Sequence, residues 1–81
     1  MKTPAYLEGY NAIMNLPVER FDPTAAHIHR HIFPAYPVNP YELKTDRESY
    51  VDWNSGEAAG VREQVWLATV GPMNQLINLF R

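Results

Sequence analysis

Hydrophobic residues near the start of the chain recur with the period of an α-helix. Those on or beside this stripe are Tyr6, Leu7, Tyr10, Ile13 and Met14. Thr3 and Pro4 form a helix-start signal, because threonine caps a helix N-terminus and proline fits its first position. Pro17 favours extended backbone at the residue before it. The pattern therefore predicts a helix from Pro4 to about Asn15.

A second start signal opens the longest helical pattern of the chain. Thr45 and Glu48 have the spacing of a capping box, in which each side chain satisfies a free backbone N–H of the other. The apolar positions that follow at helical spacing, interrupted by Glu57, are Tyr50, Trp53, Val61, Val65 and Ala68. We predict a helix from Asp46 to about Ala59, which either continues to Thr69 or breaks at a glycine.

Two glycines, Gly56 and Gly60, lie within this helix-favouring run. Each costs about 1 kcal/mol relative to alanine in a helix interior. Glycine is used where another backbone must approach closely. Gly9 lies inside the first predicted helix, so we expect the two helices to cross with Gly9 against Gly56 or Gly60. The rings expected around this crossing are those of Tyr10, Tyr41 and Trp53.

The middle of the chain has a further cap-and-proline signal at Asp22 and Pro23. It predicts a short helix from Pro23 to about Ile32, with Ala25, Ile28 and Ile32 on its apolar side. Strand-like alternation over 27–33 is the alternative. Three prolines over 33–43 then predict an extended segment that lies against the helices. Within it, Asn39, Pro40 and Tyr41 indicate a turn.

The last ten residues form a clear amphipathic pattern. Gly71 and Pro72 end the long helix and start another over 72–81. Its apolar residues, at i, i+3, i+4 and i+7, are Met73, Leu76, Ile77 and Phe80. Such a face either docks on the chain's own core or serves as a dimer seam or a ligand for a groove on another protein.

Composition restricts the class of protein. With 81 residues, the chain is expected to form a single small helical domain over 1–81, of three to five short helices that cross at glycines. A hydrophobic content of 46% favours a folded core, and the lack of cysteine excludes disulfides and thiolate–metal sites. No run approaches the length of a membrane span, and no signal peptide is evident, so we expect a cytoplasmic protein.

Three short motifs resemble the ribosome modulation factor family of small bacterial and phage proteins. They are Glu8-Gly9-Tyr10-Asn11-Ala12, Asn39-Pro40-Tyr41 and Trp53-x-x-Gly56. The resemblance covers about residues 6–60 and implies two helices joined by a crossing segment. It also implies binding to ribosomal RNA with silencing of translation. Known members are short and strongly basic, whereas this chain carries a net charge of −2, a longer insert and an added C-terminal helix.

The three histidines offer the one candidate metal site. On a helix His27 and His31 share a face, and on a strand His29 joins them on the same face. This spacing is one that can bind a zinc ion. A pH-sensitive patch and a simple solvated face are the other two interpretations. No nucleophile elbow, phosphate loop or other catalytic signature is present, and we expect no enzyme activity and no obligatory cofactor.

A small binding or regulatory protein is therefore the leading prediction. Tryptophan and arginine dominate protein-binding hot spots, and amphipathic helices supply anchors. The predicted partner-binding residues are Arg62, Trp66, Met73, Leu76, Ile77 and Phe80. A phage-type inhibitor that occludes a host protein fits the small size and the resemblance, and a homodimer is also expected. A ribosome-associated regulator that binds ribosomal RNA and a histidine metal-binding protein are the alternatives.

Overall fold

The structure, a computed structural model, describes residues 2–22 and 34–70. These residues form α1 (Pro4–Met14), a 3-10 helix (Val18–Phe21) and α2 (Arg47–Thr69). The helical class is thus confirmed for the described residues, although their two α-helices are fewer than the three to five predicted. The helices predicted over 23–32 and 72–81 lie outside the described residues. No hydrophobic pattern predicts the single 3-10 turn.

α1 begins as the sequence predicts. The Oγ1 atom of Thr3 accepts a hydrogen bond from the backbone N–H of Tyr6 at 3.3 Å, and Pro4 occupies the first helical position. The helix ends at Met14, and the N–H of Asn15 closes it by donating to the carbonyl of Asn11 at 2.9 Å. The threonine cap therefore satisfies one of the backbone donors that every helix N-terminus leaves unpaired.

The predicted capping box of α2 is wrong by one residue. Asp46, not Thr45, is the N-cap, and its Oδ1 atom accepts from the N–H of Ser49 at 3.3 Å. A carboxylate is a strong acceptor at a helix N-terminus and also interacts favourably with the helix dipole. Glu48 consequently stands one position too early to complete the box.

α2 is a single continuous helix. It has 23 residues and passes through both Gly56 and Gly60 without a break, which decides between the two predicted alternatives. At 1.5 Å per residue it is about 34 Å long, roughly twice the length of α1. Neither described helix combines the length and the apolar content needed to cross a lipid bilayer.

α1 and α2 run in the same direction. Near their starts, the Thr3 hydroxyl donates to Oδ2 of Asp52 at 2.8 Å. Near the end of α1, the Gln64 amide donates to the carbonyl of Ile13 at 3.0 Å. Since both sequences advance together between these contacts, the helices are parallel, and the connecting chain must return along the whole length of α1. α2 continues for more than a turn after α1 has ended.

The glycines bring the two backbones into direct contact, as predicted. A Cβ atom at Gly9 would lie 3.0 Å from the carbonyl carbon of Trp53, and one at Gly56 would lie 2.8 Å from that of Tyr6. At Gly60 it would lie 2.8 Å from Cβ of Ile13. At the first two positions a helix carbonyl occupies the place of a side chain. Glycine Cα–H groups facing carbonyl oxygens add weak hydrogen bonds to such crossings.

The buried face differs from the predicted hydrophobic stripes. The buried residues of the two helices are Ala5, Gly9, Ile13, Trp53, Gly56, Gly60 and Gln64. Tyr6 and Tyr10 are only half-buried, while Leu7 and Val65 are exposed. Hydrophobic periodicity gives glycine little weight, yet in this pair of helices glycine decides which faces meet. Ile13, Trp53 and the neighbouring Leu16 then close the small core.

Residues 34–46, the connector, are fastened to both helices. Nδ2 of Asn39 donates to the Tyr50 carbonyl and to Oδ1 of Asn54, each at 3.0 Å. Oδ1 of Asn39 accepts from the N–H of Tyr41 at 2.9 Å, which confirms the predicted turn. The Tyr41 hydroxyl donates to Glu8 of α1 at 2.6 Å. The connector therefore lies against the helices, as predicted.

Two apolar side chains of the connector do not follow this packing. Val38 is 84% exposed and Leu43 is 53% exposed, so neither adds to the core. The connector is held mainly by polar contacts, since the Arg20 guanidinium also donates to the Pro34 carbonyl and lies 5.3 Å from the centre of the Tyr36 ring. Its path is set by hydrogen bonds more than by burial.

Candidate partner-binding surface

One flank of α2, beside the face that meets α1, carries a row of accessible residues, the outer stripe. Its members are Ser55, Ala59, Arg62, Glu63, Trp66 and, at the helix C-cap, Val70. Each is exposed except Ala59, which is half-buried. The stripe has helical spacing and alternates small, charged and large apolar side chains. It borders the glycine face that meets α1, since Glu63 stands seven residues after Gly56.

A shallow groove of about 400 Å³ lies on this stripe. Ala59, Arg62, Glu63 and Trp66 line it. Ala59 forms the low point because its side chain is a single methyl group, whereas the longer side chains stand around it. The groove thus combines one apolar floor, one aromatic wall and one charge of each sign.

The C-terminal end of α2, beyond the last residue of α1, exposes several apolar residues. Trp66 is 46% exposed, and Val65 and Val70 are close to it in exposure. Leu67 is turned toward the α1 side of the helix, beyond the last residue of α1, and is also exposed. Apolar side chains grouped in this way on a small protein are typical of an interaction surface.

The structure brings together two of the predicted partner-binding residues. Arg62 and Trp66 are both exposed and line the same groove. The other four, Met73, Leu76, Ile77 and Phe80, lie outside the described residues. The predicted metal ligands His27, His29 and His31 also lie outside them. Within residues 2–22 and 34–70, no three carboxylates or histidines are grouped so that they could hold a metal ion.

Ala59 and Glu63 were not predicted as part of the site. Each stands at helical spacing from a predicted residue, since Ala59 is three positions before Arg62 and Glu63 is three before Trp66. Mixed small and charged residues give no hydrophobic periodicity, so a search for apolar stripes passes over them. A search for repeated helical spacing of any residue type around Trp66 would have found both.

Gln64 is next to Glu63 in sequence, but its side chain lies on the face of α2 that meets α1. It is 2% exposed, and its Nε2 atom donates to the carbonyls of Ile13 at 3.0 Å and Leu16 at 2.9 Å. These carbonyls lie at and just after the end of α1, and that of Ile13 also accepts from the N–H of Leu16 at 3.0 Å. The glutamine therefore caps α1 from α2 and fixes where the short helix ends.

Two tyrosine hydroxyls are engaged by carboxylates at the connector. The hydrogen bond to Glu8 raises the pKa of Tyr41 above its usual range, because ionising the phenol would place two negative charges together. Partial burial, with a smaller contribution from Glu57, raises the pKa of Tyr36. Both phenol hydroxyls therefore join the connector to carboxylates of the helices, Tyr41 to Glu8 and Tyr36 to Glu57.

Comparison with known protein families, curated proteins and solved structures finds nothing that matches this chain. The resemblance to the ribosome modulation factor family therefore stays a prediction.

Proposed function

We propose that this chain is a non-enzymatic binding protein that occludes a protein partner, in the manner of small phage-borne inhibitors. The observation that carries the proposal is the exposure of Trp66, which is 46% accessible and lies beside Arg62 in the groove of the outer stripe. Tryptophan and arginine are the residue types most enriched in binding hot spots.

The energetic argument rests on the indole ring. Tryptophan buries roughly 150–250 Å² when it is fully covered. Nearly half of the side chain remains to be covered here, and at about 25 cal/mol per Å² that area contributes roughly 2–3 kcal/mol on binding. Val65 and Val70 extend the apolar area, while the charged rim made by Arg62 and Glu63 orients a partner.

The frame that presents this surface supports the proposal. Direct backbone contact at Gly9 and Gly56 and the cap by Gln64 fix α2 against α1. A surface held on a rigid helix needs little ordering when a partner arrives, so less of the contact energy is lost. The predicted amphipathic segment 72–81 carries the other four predicted partner-binding residues.

The ribosomal RNA alternative receives less support from charge. The chain contains seven lysines and arginines against nine aspartates and glutamates, a net charge of −2. RNA and DNA binding is dominated by basic side chains that neutralise phosphates. The outer stripe itself carries one positive and one negative residue. We therefore favour a protein partner.

The decisive experiment compares two matched variants on the same helix. Trp66→Ala removes the central anchor, and Val51→Ala changes a residue of similar exposure, 48%, near the other end of α2. Tagged protein is used to capture partners from cells of the native host, and any partner enriched by the parent chain is purified for direct affinity measurement.

We expect Trp66→Ala to weaken the purified complex at least tenfold and Val51→Ala to leave it unchanged. Equal affinity of the parent and Trp66→Ala would overturn the proposal. Deleting residues 72–81 measures how much the C-terminal segment contributes to the binding affinity. Binding to ribosomes that fades steeply with salt, instead of binding to a protein, would favour the alternative.

A further inference from the structure

We propose that residues 72–81, the cover segment, fold back along α2 and cover the groove of the outer stripe when no partner is bound. The contact pairs the four apolar residues of this segment with the exposed apolar residues at the C-terminal end of α2. The inference rests on the proposed function, because it describes the regulation of that same site: a partner reaches Trp66 only when the segment leaves it. The cover itself is testable without a partner.

α2 ends where a reversal of the chain is expected. Its last helical residue is Thr69, and the N–H of the C-cap Val70 donates to the carbonyl of Trp66 at 2.8 Å. Gly71 therefore follows the cap, at the position where glycine is strongly enriched. Pro72 comes next, where proline stops one helix and fits the first position of another. Helices joined by so short a connection form an antiparallel hairpin.

The length of the cover segment matches the distance back to the groove. As a helix, residues 72–81 extend over about 15 Å at 1.5 Å per residue. In a hairpin that turns at Gly71, residues equally far from the turn lie level with each other. Leu76 then lies level with Trp66, and Phe80 lies level with Arg62. The segment therefore reaches the part of the groove that Arg62 and Trp66 line.

The side chains on the two sides suit each other. Near the end of α2, Trp66, Leu67 and Val70 are exposed apolar residues. The cover segment presents an apolar stripe of similar length, and two such stripes can bury each other in a pair of packed helices. Glu63 is the charged residue of the groove that lies closest in sequence to Trp66, and the cover segment contains no acidic residue that would repel it.

The short tether favours the chain's own segment over any separate molecule. A segment attached by a short link acts as if it were present at about millimolar concentration. A separate helix at micromolar concentration needs an affinity roughly a thousandfold higher to compete. Space for the segment is on the outer stripe, because the connector occupies the opposite flank of α2 through the hydrogen bond from Asn39 to Asn54.

Opening the hairpin makes both apolar surfaces available together. The predicted partner-binding residues of α2 and those of the cover segment contact one another in the free chain, and both face the partner after it binds. Binding that requires such a change of conformation is slower than binding to a preformed surface. The cover thus keeps apolar area out of water until a partner replaces it.

Tryptophan fluorescence tests the cover in the full chain. There are two tryptophans, and Trp53 is only 3% exposed, so quenching by acrylamide reports mainly on Trp66. In the double variant Leu76→Ser/Ile77→Ser the apolar face of the cover segment is interrupted. We expect its quenching constant to be about twofold higher than that of the parent, because the indole ring is no longer covered.

A matched double variant supplies the control. Asn74→Ser/Asn78→Ser changes the polar side of the same segment and should leave the quenching constant at the parent value. Trp66→Phe in each background isolates the signal of Trp53 and shows that the core between α1 and α2 is unchanged. The measurements are made at about 1 μM, far below the effective concentration of the tether.

Two results would overturn the proposal. One is equal quenching of the parent and Leu76→Ser/Ile77→Ser. The other is protection of Trp66 that disappears on dilution, since it would show that a second copy supplies the cover.

A purified partner tests the regulatory part. It should associate roughly fivefold faster with Leu76→Ser/Ile77→Ser than with the parent, because the opening step is removed, and an equal or slower rate would contradict the regulation. If the quenching results fail while Trp66→Ala still weakens the complex, the proposed function stands and this inference falls. If the cover is found but Trp66→Ala leaves the affinity unchanged, the proposed function falls instead.

Discussion

The carbonyl group of Tyr6 fills the space that a Cβ atom at Gly56 would need. The carbonyl carbon lies 2.8 Å from that position, and the oxygen lies closer still. The reverse relationship holds between Gly9 and the Trp53 carbonyl. The two helices are therefore held at a separation that only glycine permits at both positions.

We expect Gly56→Ala to destabilise the fold. Alanine would gain about 1 kcal/mol of helix propensity, but its methyl group meets backbone that cannot rotate away, and overpacking of this kind typically costs 1–3 kcal/mol or more. A net loss of about 1–2 kcal/mol is expected in urea denaturation followed by circular dichroism. Ser55→Ala, on the exposed side of the same helix, is the control. Equal or higher stability of Gly56→Ala would show that the helices do not touch there.

The second prediction concerns the cap supplied by Gln64. Gln64→Leu keeps a side chain of similar length but removes the donor to the Leu16 carbonyl, while the Ile13 carbonyl keeps the N–H of Leu16. Losing a partner for a buried polar group costs about 1–3 kcal/mol. The expected readout is a lower melting temperature together with faster amide exchange at the end of α1.

A second variant at the same position distinguishes the loss of the hydrogen-bond donor from the change in side-chain shape. Gln64→Glu preserves size, but its carboxylate would set negative charge against two carbonyl oxygens. It should be less stable than Gln64→Leu at neutral pH and should recover as the pH falls and the carboxylate is protonated. A glutamate variant as stable as the parent at pH 7 would refute the capping role.

Asn39 is expected to govern how the connector is attached. Asn39→Asp retains the acceptor for the Tyr41 N–H but places a charge against the Tyr50 carbonyl and Oδ1 of Asn54. We expect a loss of about 1–3 kcal/mol and faster proteolysis of residues 34–46. Val38→Ala, at a neighbouring and almost fully exposed position, should change neither quantity. Unchanged proteolysis in Asn39→Asp would contradict the attachment.

The hydrogen bond between Tyr41 and Glu8 predicts a specific dependence on pH. Because the fold raises the pKa of Tyr41, the folded state holds the phenol proton more tightly than the unfolded chain does. The contribution to stability is complete below the unfolded value of about 10 and is lost as the pH rises through the raised value.

The difference in stability between the parent and Tyr41→Phe should therefore shrink as the pH is raised from 8 to beyond 10. The background variant Glu8→Gln provides the control, because removing the carboxylate removes the main cause of the shift. Denaturant titrations give the unfolding free energies of the parent and of Tyr41→Phe at each pH. If their difference stays constant over the whole range, the hydrogen bond does not control the ionisation of Tyr41.

The sequence predicts two kinds of feature in this fold. One is a residue that is energetically unfavourable in its helix, and the other is a side chain that bonds to backbone groups close to it in sequence. Gly9, Gly56 and Gly60 are costly inside helices, and this cost points to the crossing that the structure contains. Thr3 and Asn39 act on backbone groups two or three residues away, so their roles are readable from adjacent positions.

The parts that escape prediction depend on contacts between distant segments. A glutamine on a helix is usually a surface residue, and Gln64 is buried only because α1 ends beside it. The exposure of Leu7 has the same origin, since the glycines turn a different side of α1 toward α2. At the candidate site, Trp66 and Arg62 follow from residue type, whereas Ala59 gains its meaning only from the groove around it.

The parallel course of α1 and α2 has a consequence for how the chain reaches this state. The hydrogen bonds that join the two helices connect residues 48 to 51 positions apart. A helix hairpin of equal size would assemble from near neighbours, whereas this pair must first close a loop of more than half the polypeptide, and such distant pairing slows folding. We therefore expect the first sixteen residues to dock late, and a peptide of that sequence should be able to complete the remainder of the chain in trans.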